Sequence, residues 1–497
     1  MENIRYYLNK LIYGTFSFFI FITLINALQS DNLKIENISS KVLLILIISI
    51  ISFSLIRVMK KKEHDIFNEK IKIMFVSIIF LFIIILQIKL VMSTHPKIGF
   101  DVGKFYNQIV NGNSVEKFYF SMYPNNLLLL LLQKNYLKVI GSVNEYFLSL
   151  DLLNVVLVDL SAMLNLVAVY IIGNKYLIKG MLINIVWLML FPMVLVPYSD
   201  TMVMPLVSLL LCVYIIESKC SNYIYKCIYS ILMGFIIIFI YFIKPSAIIP
   251  IISIVICTIF FKKVNFRRVI LVLLMLTSLF TFYTSVNFYL NKQTYIKIDV
   301  SRKAPVIHFI NIGMKGERGA YDGEAETEIS SLKPQGKIEY SKKSIINTLK
   351  SRGPVGYLKF LLMKQGYNAA DGSLGWLQEG NFINSSSRHK SNIFKKYLYP
   401  DGKYLSDFKF VVQIIWIIAL SVLLLGFNDR RYFVQVLRLS LIGAFVFLLI
   451  FEGGRSRYMI QFLPAIIMLI TLLWDTSMQN LKRINDVLFN KENIISD

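Results

Sequence analysis

Histidine and cysteine are scarce in this 497-residue chain, four of each, and that shortage excludes several classes of site. The histidines His64, His95, His308 and His389 are scattered and form no metal-ligand cluster, so no metal site is expected from them. The cysteines Cys212, Cys220, Cys227 and Cys257 lack the paired spacing of a zinc site. They fall in apolar runs or in a loop assigned below to the cytoplasm, where a disulfide is not expected. Internal repeats and low-complexity linkers are missing. The glycine-bearing stretch GMKGERGAYDGE at 313–324 has neither the Lys-Ser/Thr ending nor the strand-to-helix setting of a phosphate loop, and a surface turn is expected there. Acidic residues are outnumbered, 30 against 53 Lys and Arg, for a formal net charge of +23. The basic residues sit mainly in short loops between apolar runs rather than on one soluble face, so no nucleic acid partner is expected.

Apolar residues dominate instead: 56% of the chain is hydrophobic, 14% aromatic, and the mean hydropathy is +0.60. So much apolar surface needs lipid, and a lipid-spanning backbone must satisfy its own hydrogen bonds as a helix. About twelve suitable runs lie near 11–28, 42–59, 73–93, 151–172, 181–198, 201–216, 226–243, 246–261, 268–289, 408–426, 434–451 and 457–474. The expected fold is an all-α polytopic membrane protein of about twelve transmembrane helices with a smaller α or α+β extracytoplasmic domain. The first run follows Arg5 and Lys10 and leads into further runs without a small-residue cleavage site, so it reads as an uncleaved helix. Arg57, Lys60, Lys61, Lys62, Lys70 and Lys72 crowd one loop, Lys262, Lys263, Arg267 and Arg268 a second, and Arg430 and Arg431 a third, which marks these loops, and with them both termini, as cytoplasmic. Abundant Ile, Lys and Asn are the composition of an AT-rich bacterial genome, and the location expected is the bacterial plasma membrane.

The run YPNNLLLLLLQKNYLKVIG at 123–141 decides the topology. As a thirteenth span it would turn the basic loops at 262–268 and 430–431 outward. Lys134 and Lys138 interrupt it four residues apart, so it reads as an amphipathic helix at the outer interface with Tyr123 and Tyr136 as anchors. The chain then divides into a transmembrane module, 1–289, with a first outer loop at 94–150; an extracytoplasmic domain, 290–407; and C-terminal helices with a cytoplasmic tail, 408–497. Within 290–407 a helical pattern is predicted around 341–364, with turns at Gly353-Pro354, Asp371-Gly372 and Asp401-Gly402.

Three short outer loops are polar, PYSD at 197–200, IKPS at 243–246 and the FEGGRSRY stretch at 451–458, and the last two carry cations against the usual bias of outer loops. Lys244, Arg455 and Arg457 at a membrane edge call for an anionic partner, and arginine's planar fork matches phosphate oxygens. Glu452 would orient an arginine or contact a sugar, and Asp200 is a second polar contact to sugar or acceptor. Asp101, a few residues past the third run, is placed to take a proton from an acceptor hydroxyl as that oxygen attacks an anomeric carbon. A lipid phosphate leaving group would need nearby cations rather than an acid. Tyr123, His95 and Trp376 complete the candidate sugar or acceptor contacts, Trp376 by stacking. The plain alternatives are a solvated Asp101 and His95, arginines that only anchor a helix end, and a Lys244 that ends a helix beside Pro245.

Asp101, the YPNNL stretch, PYSD, IKPS, and RSRY followed by Pro464 together resemble the GT-C superfamily of polytopic glycosyltransferases, within it the bacterial protein-mannosyltransferase-like and aminoarabinose-transferase-like group. The resemblance covers most of the chain and implies inverting transfer of a sugar from a polyprenyl-phosphate donor to a cell-envelope polysaccharide or teichoic-type acceptor, on the extracytoplasmic face, with Asp101 as the catalytic acid of the first loop. Membrane lipids are the surrounding partners. Two extra spans precede Asp101, and it lacks the adjacent second acid of many relatives, which leaves a divalent metal open; no other cofactor is expected. A lipid-linked polysaccharide polymerase shares the same features. A lipid or sugar flippase or transporter would instead use charges within spans, for which Asp151 and Asp159 are the candidates.

Overall fold

A computed structural model describes residues 2–34, 66–112, 115–262, 265–383 and 392–489, with Lys41, Leu44, Ile45 and Ser49 as isolated positions. Apart from Leu44, Ile45 and Ser49, the expected span 42–59 lies outside the described residues, as do the loop residues Arg57, Lys60, Lys61 and Lys62, and His64, Lys263 and His389. Among the described residues nine helices are long and apolar enough to cross a membrane: Arg5–Leu28, Lys70–Thr94, Val143–Ile172, Ser199–Lys219, Tyr223–Ile243, Phe266–Lys292, Leu405–Leu425, Tyr432–Ile450 and Ser456–Leu488. Ser199–Lys219 and Ser456–Leu488 are 83% buried inside the protein, against 22% for Lys70–Thr94 and Phe266–Lys292. The first two are therefore central, while the outer helices turn residues such as Phe75, Leu81, Ile85, Leu273 and Phe280 outward, as a lipid-facing surface requires.

Two expected spans are short because proline interrupts them. The 181–198 run forms the helix Leu177–Met189 and then a separate turn, Pro192–Leu195. The 246–261 run forms a turn at Pro245–Ile248 and the 13-residue helix Ile249–Phe261. Proline removes a backbone donor and pushes the preceding residue out of helical geometry. The 123–141 segment contains the 13-residue helix Leu127–Val139. At about 20 Å it is shorter than the ~30 Å hydrocarbon layer. Leu127 to Leu131, Gln133 and Leu137 are buried within the protein.

Among the described residues, 290–407 is helical, in Val306–Ile312, Gly323–Ser330, Pro334–Ala369 and Ile393–Leu398. Of the two expected alternatives for this segment, α or α+β, the described residues show the helical one, with a single isolated bridge, Ile98 to Ile383, as their extended pairing. The long helix breaks where the turn was predicted, at Gly353 (φ 61°), and restarts at Pro354. Among the described residues a small separate cluster serves this segment, with Ala304 and Ile329 buried against Met122 of the 94–150 segment and Phe309, Tyr340 and Tyr123 packed around them. The second half of Pro334–Ala369 enters the bundle, where Gln365 donates to Thr23 (3.0 Å). The 313–324 stretch is not a plain surface turn. Gly316 to Arg318 are exposed, but Gly313 presses against the Phe451 carbonyl too closely to admit a Cβ, and Gly319 accepts from the Gly453 amide (2.8 Å).

Candidate functional site

Three helix breaks and two loops meet at one end of the bundle. The first break, Phe191 to Tyr198, leaves carbonyls that no helix satisfies. Asn154 donates to those of Met193 (3.1 Å), Val194 (2.9 Å) and Val196 (3.2 Å), and Gln133 to that of Pro197 (2.9 Å). Non-helical backbone inside a bundle is tolerated only with such partners. They fix Tyr198 and, two residues on, Asp200, which is 2% exposed. The second break ends Tyr223–Ile243 at Lys244, held extended (φ −153°, ψ 96°) before Pro245. Its ammonium lies 2.5 Å from Asp200 Oδ1. The third break runs from Phe451 to Arg455 and continues as the turn Ser456–Phe462. Ser246 donates to Gln461 (2.7 Å), which ties the second break to the third.

Arg457, 2% exposed, faces two acids at once, Asp200 Oδ2 (3.3 Å from Nη1) and Glu379 Oε1 (3.2 Å from Nε). Arg455 pairs with the other oxygen of Glu379. The Arg457 guanidinium also lies 4.8 Å from the Phe100 ring, and 5.4 Å from those of Tyr198 and Tyr458. Glu452 accepts from the Tyr458 hydroxyl (2.7 Å). Burial, the largest influence, pushes the Glu452 carboxyl above the ordinary carboxylate range, with the Tyr458 hydrogen bond and Arg455 pulling it back. Behind the loop, buried Lys364 donates to the carbonyls of Gly313 (2.5 Å), Leu449 (3.1 Å) and Phe451 (2.7 Å).

Asp101 enters from the first turn of Phe100–Tyr106. It is half-buried and accepts from the Tyr198 hydroxyl (3.2 Å). Burial, followed by the Asp101 charge, raises the Tyr198 pKa, so the phenol keeps its proton and stays a donor. Tyr123 packs on Tyr119 (5.3 Å between ring centres), and Tyr119 meets Tyr198 (3.4 Å between oxygens). Burial raises the Tyr123 pKa, with the carboxylates of Glu326, Glu452 and Asp101 adding to the rise.

The cluster therefore holds Asp101, Asp200, Lys244, Glu452, Arg455 and Arg457, with Tyr123 at its edge, all read from the sequence. Glu379, Tyr198, Tyr458 and Tyr321 were not read from it. Trp376 is a correction. It is fully buried against Phe382, and its indole donates to the Leu398 carbonyl (2.8 Å), so it supports its loop and offers no face for stacking. His95 is exposed, with Nδ1 3.1 Å from the Val91 carbonyl. Among the described residues no group of three or more His, Cys, Asp or Glu is arranged to hold a metal ion.

Over residues 4–478 the chain matches the family model of a conserved hypothetical integral membrane protein. The chain belongs to this integral membrane family. No curated protein and no solved structure matches it. Membership in the family agrees with the multi-pass bundle, and the chemistry has to be read from the charged cluster.

The five non-glycine residues with positive φ among the described residues, His95 (20°), Phe100 (35°), Leu374 (53°), Leu377 (63°) and Asn381 (54°), fall in the segments that carry Asp101 and Glu379. They lie in the two segments joined by the Ile98–Ile383 bridge and by the Gly99 amide on the Phe382 carbonyl (3.1 Å). Backbone strain of this kind is kept only where surrounding contacts impose it, and it concentrates at functional sites.

Proposed function

We propose that this family member is a glycosyltransferase of the bacterial plasma membrane, GT-C-like, that moves a sugar from a polyprenyl-phosphate donor to an extracytoplasmic cell-envelope glycan or teichoic-type polymer. The observation that carries the reading is the convergence of Asp101 with Lys244, Arg455 and Arg457, four residues from three remote parts of the chain, at one end of the helical bundle. Asp101 takes the proton of an acceptor hydroxyl; that oxygen forms a bond to the anomeric carbon on the face opposite the phosphate, and the bond from that carbon to the phosphate oxygen breaks with its electron pair. The sugar is transferred with inversion, and the polyprenyl phosphate departs with its negative charge beside the arginines and Lys244. Tyr198 orients Asp101 through its hydroxyl. Tyr123, Tyr321, Glu326 and Glu452 offer the aromatic and carboxylate surface that a sugar needs on the other side of Asp101. Both termini are cytoplasmic in this reading, and the cluster faces outward.

The test is mass analysis of envelope glycans from cells with the gene, without it, and complemented with Asp101→Asn. A monosaccharide missing both without the gene and with Asp101→Asn is the expected result; glycans unchanged in all three strains would overturn the assignment. A polymerase would need an oligosaccharide on a diphosphate carrier and would ignore a single-sugar lipid donor.

A second reading, transport, is favoured by one observation. In the Tyr146–Ile172 helix Asp151 is fully buried with neither carboxylate oxygen hydrogen-bonded, and Asp159, 5% exposed, has one oxygen in the same state. Unpaired acids inside a span are costly and mark ion or proton pathways. Loss of function in Asp151→Asn or Asp159→Asn with full function in Asp101→Asn would select transport.

A further inference from the structure

Four carboxylates, Asp101, Asp200, Glu379 and Glu452, share the cluster with three cations, Lys244, Arg455 and Arg457. No cation is in surplus, so a further anion enters favourably only if one of the acids withdraws. The four acids are not held alike. Asp200 lies in the buried start of a central helix, and Asp101 and Glu452 each accept from a tyrosine hydroxyl. Glu379, 8% exposed, is held among the described residues by its ion pairs to Arg455 and Arg457. The Arg457 contacts are not well formed: Arg457 Nε and Nη1 and Glu379 Oε1 are buried at ion-pair distance without hydrogen-bond alignment.

The backbone that carries Glu379 is an arch fixed at both ends. At one end Asp371 accepts from Asn32 (2.7 Å), the Gly375 amide (2.9 Å) and Gln378 (2.7 Å). At the other is the pairing of Phe382 and Ile383 with residues 98 and 99. Between them Leu374, Leu377 and Asn381 have positive φ, a conformation unfavourable for leucine. Gly375 (φ +77°) lies against Arg457, where a Cβ would come within 3.1 Å of the Arg457 backbone nitrogen. The arch thus touches the arginines through its backbone as well as its acid.

We infer that Glu379 is a built-in surrogate for the donor's phosphate: its carboxylate occupies the fork of Arg455 and Arg457 until a lipid-borne phosphate displaces it, and the strained arch 371–383 moves away with it. Carboxylate and phosphate oxygens suit the same guanidinium geometry, and release of backbone strain offsets the loss of the ion pairs. This rests on the reading of the cluster as the seat of the donor phosphate.

The experiment uses the full-length protein in detergent micelles, wild type and Glu379→Gln, titrated separately with undecaprenyl phosphate and with inorganic phosphate. Hydrogen exchange of the 371–383 amides in the wild type is a second readout that does not depend on the variant. Displacement predicts roughly five- to tenfold tighter binding of undecaprenyl phosphate by Glu379→Gln, and faster amide exchange in 371–383 when the wild type is loaded. Binding by the wild type with weaker or equal binding by Glu379→Gln, or with greater protection of 371–383, would overturn the surrogate role and leave the phosphate seat standing. Equal affinity for the two probes would make the seat one for a free phosphate and overturn the lipid assignment. If neither probe binds either protein, the inference and the reading beneath it both fail.

Discussion

At the N-terminal end of the Tyr432–Ile450 helix, fully buried Arg438 donates to the carbonyls of Asp429 (2.6 Å) and Gly426 (2.5 Å), while Arg431 pairs with Asp429 two residues away (2.6 Å). At its C-terminal end, Arg457 and Arg455 face Asp200 and Glu379, side chains brought from distant segments. Both ends bury arginine in the same helix pair, yet the partners differ in kind. Arg431 also reaches the Leu472 carbonyl and the Tyr176 hydroxyl on other helices, but its acid is a neighbour in sequence and Arg438 rests on backbone carbonyls, so these two arginines cap and close a connection. Side-chain acids on independent segments can withdraw, so Arg455 and Arg457 retain charge that another anion is able to claim. The type of partner, more than burial, separates the structural cation from the functional one.

The sharpest way to break this comparison is to compare activity per folded molecule. Asp101→Asn should reduce sugar transfer by about 10²- to 10⁴-fold, the usual worth of a positioned base, with thermal unfolding unchanged. Arg438→Met should do the reverse, lowering the unfolding temperature while the folded fraction keeps its rate. Equal activity losses in the two variants would erase the distinction.

Stability sharpens it next. Arg457→Met leaves Glu379 with Arg455 alone and Asp200 with Lys244 alone, and breaking a buried pair costs about 3–5 kcal/mol. Adding Glu379→Gln should recover a substantial part of that loss, because it removes one of four acids that Lys244 and Arg455 alone would otherwise serve. Arg438→Met strands carbonyls instead, at about 1–3 kcal/mol, and no acid-to-amide change should rescue it. Denaturation of the single and double variants measures both.

A smaller effect concerns how the functional end is held. Asn154→Leu removes the amide that serves three carbonyls of the 191–198 break. It should cost ~2 kcal/mol and weaken undecaprenyl phosphate binding, since Asp200 and Tyr198 hang from that stretch. Unchanged binding in a destabilised Asn154→Leu protein would detach the break from the site.

These contrasts also explain how much was legible in the chain. The long helices follow from apolar length, a local property, and so do the breaks, because Pro192, Pro245 and the glycines at 453 and 454 stand at them. The cations at the breaks were legible as misplaced charge. Glu379 was not, since it sits in DGSLGWLQEG beside a tryptophan that attracts attention, and its role depends on a bridge between residues 98 and 383 that no local pattern encodes. One signal pointed toward it: cations at two loops, Lys244 in one and Arg455 and Arg457 in the other, require counter-charges, and the acids of 290–407 were the place to look. The glycines of 313–319 were equally opaque, because their use is close packing against the Phe451 turn.

The smallest predicted effect depends on pH. Burial raises the Glu452 carboxyl above its ordinary range in the folded protein, so folding there favours the protonated form. Below the ordinary carboxylate pKa both folded and unfolded chains hold that proton, and Glu452 carries no charge penalty. As pH rises through the ordinary value toward the raised one, the unfolded chain loses the proton first and stability declines. The Tyr458 hydroxyl opposes this decline by donating to the carboxylate at 2.7 Å. Tyr458→Phe should therefore raise the Glu452 pKa further and destabilise the protein by about 1 kcal/mol near pH 8, with a markedly smaller difference near ~pH 4. Thermal unfolding of both proteins across that range measures it, and a pH-independent difference would mean that the hydroxyl serves packing rather than the charge of Glu452.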